Sequence, residues 1–206
     1  LPLNDPVASL KEFRRATEQL KLPGAMLFSN VNGIALADER YWPLYEAAND
    51  RGAVLHIHPT NPINVDAMRD YWLMPLVGFL FDTTVAASHL VFSGVAERYP
   101  NINWVLGHLG GAIPYLAERL DRGFHAFKEC RANIRKPPSE YLKTWYYDTV
   151  NFIANLSVTG NDFLPLNTEG RRAFYINPGV DQFTFSDNTI TGKFTARAGT
   201  QAKNSL

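Results

Sequence analysis

From Pro6 to Leu22 the apolar positions recur at helical spacing, with Leu10, Phe13 and Leu20 on one side and Lys11, Arg14, Arg15 and Glu18 largely on the other. Pro23-Gly24 ends this helix, and GAMLFSN, residues 24–30, follows as a short buried strand. YWPLYEAANDRG, residues 41–52, predicts a second helix with Pro43 in its first turn and Gly52 at its stop. The run VLHIHP predicts the next strand, and a helical stretch from Met74 to Arg98 leads into the strand NWVLGHLGG. A further helix, from about Ala112 to Ala132, leads past Lys136-Pro137-Pro138 to the aromatic strand WYYDTVNF. Strands alternating with helices in this way predict a parallel α/β sheet with crossover helices, either a (β/α) barrel or an open, doubly wound sheet of flavodoxin type.

Beyond Asn151 the helical periodicity stops. Residues 152–206 hold seven threonines against six in the preceding 151, which marks a change of structural type. QFTFSDNTITGKFT, residues 182–195, predicts a hairpin turning at Asp187-Asn188, because Phe183 and Phe185 alternate with polar neighbours. The chain therefore divides into an α/β region, 1–152, and a β-rich C-terminal segment, 153–206.

Composition changes this picture little but excludes some partners. Lys plus Arg equals Asp plus Glu at 20 each, so there is no basic field for nucleic acid or an anionic membrane surface. A single cysteine, Cys130, cannot form an internal disulfide and fits a reducing, cytoplasmic setting. The apolar run LMPLVGFLF is cut by Pro75 and bounded by Asp82, short of a membrane span, and LPLNDP has no signal-peptide character. Small neutral or acidic molecules remain as ligands.

Two of the five histidines end one strand. In a strand, residues i and i+2 share a face, so His56 and His58 point with Val54 while Leu55 and Ile57 face the other layer. Pro59 marks the carboxyl end, where parallel α/β folds place ligands. A neutral imidazole there is a good ligand for Zn²⁺, and it can equally cap a core strand through hydrogen bonds. GHLGG, residues 107–111, repeats the arrangement: an apolar strand ends in His108, followed by glycines that open a helix. Gly107 would allow a sharp turn, and Gly110-Gly111 would free amide groups for an anion or a substrate carboxylate. His89 and His125 lie within helical stretches and read as structural.

The segments GAMLFSNVNG, PLYEAANDRGAVLHIHP, PLVGFLFDTTVAASHLVFSGVAERYPNINWVLGHLGGAIPYLAERLDRG and YYDTVNF, in this order, closely resemble the amidohydrolase-related family of aminocarboxymuconate-semialdehyde decarboxylase-like enzymes. The resemblance covers about residues 1–152, and its specific parts are the HP and GHLGG segments. It implies a metal-dependent (β/α)₈ barrel of TIM type, here partial, with Zn²⁺ or another divalent ion such as Mn²⁺ at the carboxyl ends of the strands. The family's metal-binding histidine falls on His58, and its acid–base histidine falls on His108. His56 would touch the substrate or brace a ligand. The family's first-strand pair of ligands is absent from these residues, and its late aspartate has no good counterpart; Asp187 in FSDN is the candidate stand-in.

The resemblance implies a carboxy-lyase that removes CO₂ from a small aromatic or unsaturated carboxylic acid. Hydrolysis of a lactone or amide uses the same residues, with His108 acting on a water molecule. A third reading is a catalytically incomplete fragment or interaction module, because one histidine and a distant aspartate make a poor metal site. Arg69, Asp70, Tyr71 and Trp72, just beyond the HP turn, are further candidates for substrate contact. Assembly into a homo-oligomer is left open.

Overall fold

The computed structural model describes residues 1–150, except residue 63, and four short strands beyond them. Helix α1 is Pro6–Arg14, capped by Asp5, whose carboxylate accepts the Ala8 N–H at 3.0 Å; one wider turn, Arg15–Gln19, prolongs it. Strand β1, Gly24–Phe28, is followed by a small antiparallel excursion, β2 (Asn30–Val31) and β3 (Ile34–Ala35). Helix α2, Trp42–Asn49, then leads to β4, Val54–His58. Helices α3, Phe79–Phe92, and α4, Val95–Arg98, lead to β5, Asn103–Leu106. Helices α5, Ile113–Ala126, and α6, Pro138–Leu142, lead to β6, Tyr146–Tyr147.

The sheet runs β1-β4-β5-β6, and every pairing in it is parallel. Each crossover moves one strand onward in the same direction. A doubly wound sheet reverses direction at a switch point, and none occurs in this sheet among the described residues, so the order is that of a barrel wall. Register places Phe28 opposite His58, Met26 opposite His56, and His56 opposite Val105.

One face of this wall is closed. Leu27, Leu55, Ile57, Trp104 and Leu106 are all at most 1% exposed and form a single core with Leu44 and Tyr45 of α2 and Ala86, Ala87, Leu90 and Val91 of α3. Burying each such aliphatic side chain contributes roughly 1.5–3 kcal/mol. Tyr45 carries its hydroxyl into this core because it donates to the Leu36 carbonyl at 2.7 Å.

Two expectations change. The helix foreseen from Met74 to Arg98 breaks after Phe92, where Ser93 and Gly94 turn the chain, Gly94 at φ 85°. Its apolar part is also longer than the sequence pattern suggested: Asp70–Phe92 spans 23 residues and is, by length and composition, long and apolar enough to cross a membrane. Pro75 does not cut it because it sits at the first positions of a wide helical turn, Met74–Gly78, where its missing N–H costs nothing. Ala86, Ala87, Leu90 and Val91 nevertheless pack on the sheet, as in a core helix.

Residues 151–206 form a separate unit. Its described strands are β7 (Asn155–Thr159), β8 (Asp162–Phe163), β9 (Gln182–Ser186) and β10 (Thr189–Ile190). Of the hairpin foreseen over 182–195, the two described strands do not pair with each other: β9 pairs in parallel with β7, and β10 in parallel with β8; its turn at Asp187-Asn188 lies outside the described residues. Alternation of Phe183 and Phe185 specifies a face, and a face can be satisfied by any neighbour.

Candidate functional site

The alternation in β4 sends Leu55 and Ile57 into the closed core and leaves His56 and His58 on the opposite, half-buried face. β5 ends one residue before the GHLGG turn, so His108 emerges at the same carboxyl end as His58. Their ring centroids are 5.7 Å apart, and those of His56 and His58 are 6.4 Å apart. Phe79, at the start of α3, closes one side at 6.2 Å from the His108 ring.

His58 is held in one tautomer. Its Nδ1 lies 2.8 Å from the Pro59 carbonyl oxygen, and only a protonated Nδ1 can donate there, so the Nε2 lone pair is left free. The turn behind it is fixed by the buried carboxylate of Asp82 on α3, which accepts the Ser29 hydroxyl, the Asn30 side-chain amide at 3.2 Å and the Thr60 N–H at 3.2 Å.

The GHLGG turn departs from expectation. His108, Leu109, Gly110 and Gly111 all have positive φ, at 56°, 56°, 76° and 64°. A Cβ on Gly110 would lie 2.5 Å from the Tyr147 ring, and one on Gly111 would lie 2.1 Å from the Leu80 carbonyl oxygen. The glycines therefore permit close packing against β6 and α3. They do not offer amides to an anion: Gly110 N–H bonds the Gly107 carbonyl, Gly111 N–H the His108 carbonyl, and Ala112 N–H the Thr84 hydroxyl at 2.9 Å.

Asp148, one residue beyond β6, escaped the sequence reading. Its Oδ1 accepts the His108 N–H at 2.7 Å and the Val150 N–H at 3.0 Å. Its Oδ2 lies 3.4 Å from His56 Nε2, near enough for ionic attraction but not aligned as a hydrogen bond. Burial pushes this carboxyl up, yet the facing His56 and the N–H groups of Val150 and His108 outweigh it and hold the group below the usual carboxylate range. Burial also lowers the His108 imidazole below its ordinary value; the charge of Asp148 opposes this in part, and His58 and His56 reinforce it. His108 Nδ1 is buried with no partner among the described residues.

The fit to a divalent cation is partial. His58 Nε2 is a prepared ligand, but a catalytic site takes three protein ligands, and among the described residues no group of three His, Cys, Asp or Glu side chains is placed to hold one ion. Asp187 lies outside the described residues. Arg69 pairs with Asp66, Tyr71 and Trp72 are exposed, and neither they nor Asp70 share a hydrogen bond, ion pair or ring contact with the histidines. A hollow of about 660 Å³ lined by Phe28, Asn30, Thr60 and Asn61 adjoins the HP turn, and none of the three histidines lines it.

The family model described as amidohydrolase matches residues 1–166. The chain belongs to the amidohydrolase family. Among its relatives, the 2-amino-3-carboxymuconate-6-semialdehyde decarboxylase of Dictyostelium discoideum is 35% identical over 151 residues, 73% of this chain and 42% of that protein. Among solved amidohydrolase structures, 5-carboxyvanillate decarboxylase from Sphingomonas paucimobilis superposes with a TM-score of 0.63 at 32% identity, covering 70% of this chain and 45% of that one. A dihydroxybenzoic acid decarboxylase from Polaromonas sp., with bound manganese and the inhibitor 2-nitroresorcinol, gives 0.61 at 25% identity, with 78% and 49% covered. The chain thus spans about half the length of the relatives it matches, and its wall of parallel strands is part of their barrel.

Proposed function

We propose that this amidohydrolase chain carries the proton-transfer part of a non-oxidative decarboxylase acting on a small aromatic carboxylic acid. The observation that carries the reading is the convergence of His58 and His108, ring to ring at 5.7 Å, at the carboxyl ends of adjacent strands. Loss of CO₂ leaves an electron pair on carbon, and a proton must reach that carbon. His108 is the residue placed to deliver it, with its unpartnered Nδ1 and with Phe79 beside the ring to exclude water. Asp148 holds the turn through the N–H groups of His108 and Leu109. His58 would be one ligand of a divalent cation such as Mn²⁺ or Zn²⁺, completed by groups other than the described residues; such a cation, when bound, supplies an electrophile for the substrate's oxygens. The decarboxylase relatives named above support this chemistry.

A second reading has one observation in its favour. The lowered His108 imidazole rests neutral near pH 7, which suits a base that takes a proton from water during hydrolysis of a lactone or amide. The pH profile separates the two. Decarboxylation through a His108 donor falls as pH rises through its depressed value, whereas hydrolysis through a His108 base falls as pH drops through it. CO₂ release from a panel of hydroxybenzoic acids, set beside ring opening of the matching lactones, tests the assignment. Lactone opening without any CO₂ release would replace the first reading with the second. Metal analysis after dialysis tests completeness: near-stoichiometric metal supports the enzyme, and none supports an incomplete half.

A further inference from the structure

The turn that carries His108 is conformationally expensive. His108 and Leu109 are not glycines, yet both sit at φ 56°, in the left-handed region that is strained for an L-residue. Such residues persist where the surroundings over-determine them. The oxygens that do so here come from one residue, 40 positions along the chain from His108. Asp148 Oδ1 accepts the His108 N–H at 2.7 Å, and the Asp148 carbonyl accepts the Leu109 N–H at 3.2 Å. Asp148 is itself anchored, because its own N–H donates to the Leu106 carbonyl at 3.0 Å and its Oδ1 also takes the Val150 N–H. The clamp thus joins the ends of β5 and β6 directly across the turn.

We propose that Asp148 is the positioning residue of this site, holding His108 and Leu109 in the left-handed conformation that brings the His108 ring against His58. Its functional meaning rests on the reading of His108 as the proton-transfer group; its geometric content does not. The hydrogen bonds of the Asp148 carboxylate go to main-chain N–H groups, those of His108 and Val150. It positions His108 through that residue's main chain. Only an oxygen acceptor at this position is required, so asparagine keeps the clamp and alanine removes its side-chain half.

The test uses the full chain, uniformly ¹⁵N-labelled, as parent, Asp148→Asn and Asp148→Ala. Amide exchange is followed at His108 and Leu109, together with the His108 and Phe79 ring resonances. Losing a charge-assisted bond worth at least about 1.5 kcal/mol makes the His108 amide exchange at least about tenfold faster in Asp148→Ala and displaces its ring resonances. Asp148→Asn is expected to retain both signals, and amides of the α3 core are expected to keep their parental protection in both variants. Unchanged His108 exchange in the alanine variant overturns the proposal, as does an asparagine variant indistinguishable from alanine. Should Asp148→Ala fail to fold, the Asp148→Ala/Leu109→Gly double variant is read in its place. Glycine carries a φ of 56° without strain, so the double is expected to fold with His108 fast-exchanging. A double that also fails to fold assigns Asp148 to the core and overturns the proposal. CO₂ release and metal content measured on the same proteins keep the two readings apart: a metal-loaded parent that releases none while the exchange results hold counts against decarboxylation and leaves the clamp standing.

Discussion

The two faces of the parallel sheet differ although the same strands build both. On the face toward α2 and α3, Leu27, Leu55, Ile57, Trp104 and Leu106 are essentially sealed. On the other, Met26 and Phe28 are 47% and 46% exposed, and His56 and His58 stand beside them in register. In a complete barrel the second face points inward, where layers of side chains fill it. The described residues supply only one wall, so that face stays open. The contrast teaches where folding energy and chemistry reside in this half: helix packing on one side stabilises the wall, and the other side is free to hold polar groups that a packed core would exclude.

The sharpest way to break this division is to mutate both faces. In a full-length relative whose barrel carries this half, His108→Asn is expected to lower turnover by about 10²–10⁴-fold while bound metal stays, and His58→Ala to lose metal and turnover together. Metal analysis beside a CO₂-release assay checks both. Equal loss of metal in the two variants would mean that the open face is one ligand cluster with no separate proton donor.

The next effect belongs to the closed face. Ile57→Ala removes a side chain with 0% exposure and is expected to cost about 2–5 kcal/mol in urea unfolding. Met26→Ala, on the neighbouring strand but the open side, is expected to stay within about 0.5 kcal/mol of the parent. Similar losses at both positions would show that the open face is covered in solution.

The smallest expected effect is a pH dependence. The folded chain disfavours the charged form of His108, so below its ordinary value of 6.5 the unfolded chain binds more protons than the folded one. Stability contributed by the neutral ring is therefore full above 6.5 and is lost as pH falls through the depressed value. Urea midpoints measured stepwise from neutral to mildly acidic pH are expected to show this slope in the parent and to lose it in His108→Asn.

Much of this was legible in the sequence. Alternation around Leu55 and Ile57 located β4 and assigned its histidines to one face, and the strand–helix alternation gave a parallel sheet. What escaped depends on partners distant along the chain. Asp148 follows a strand of only two residues, too short to carry a period, and its meaning comes from the His108 N–H far upstream. Gly110 and Gly111 looked like an anion cradle because nothing local shows that Tyr147 and Leu80 press on them. Asp82 read as the end of an apolar run, whereas its acceptors serve Ser29, Asn30 and Thr60. Pairing of β9 and β10 was misjudged because alternation within a strand does not name a neighbour.

The tightness around those two glycines also limits how this loop can be recoded. A randomised library across residues 107–111, screened for a folded product, would return glycine at 110 and 111, because any β-carbon there collides with the Tyr147 ring or with main-chain oxygen that cannot move aside. Leu109, at φ 56°, would drift toward glycine in the same screen, since glycine relieves its left-handed strain, so the loop offers little room for diversification.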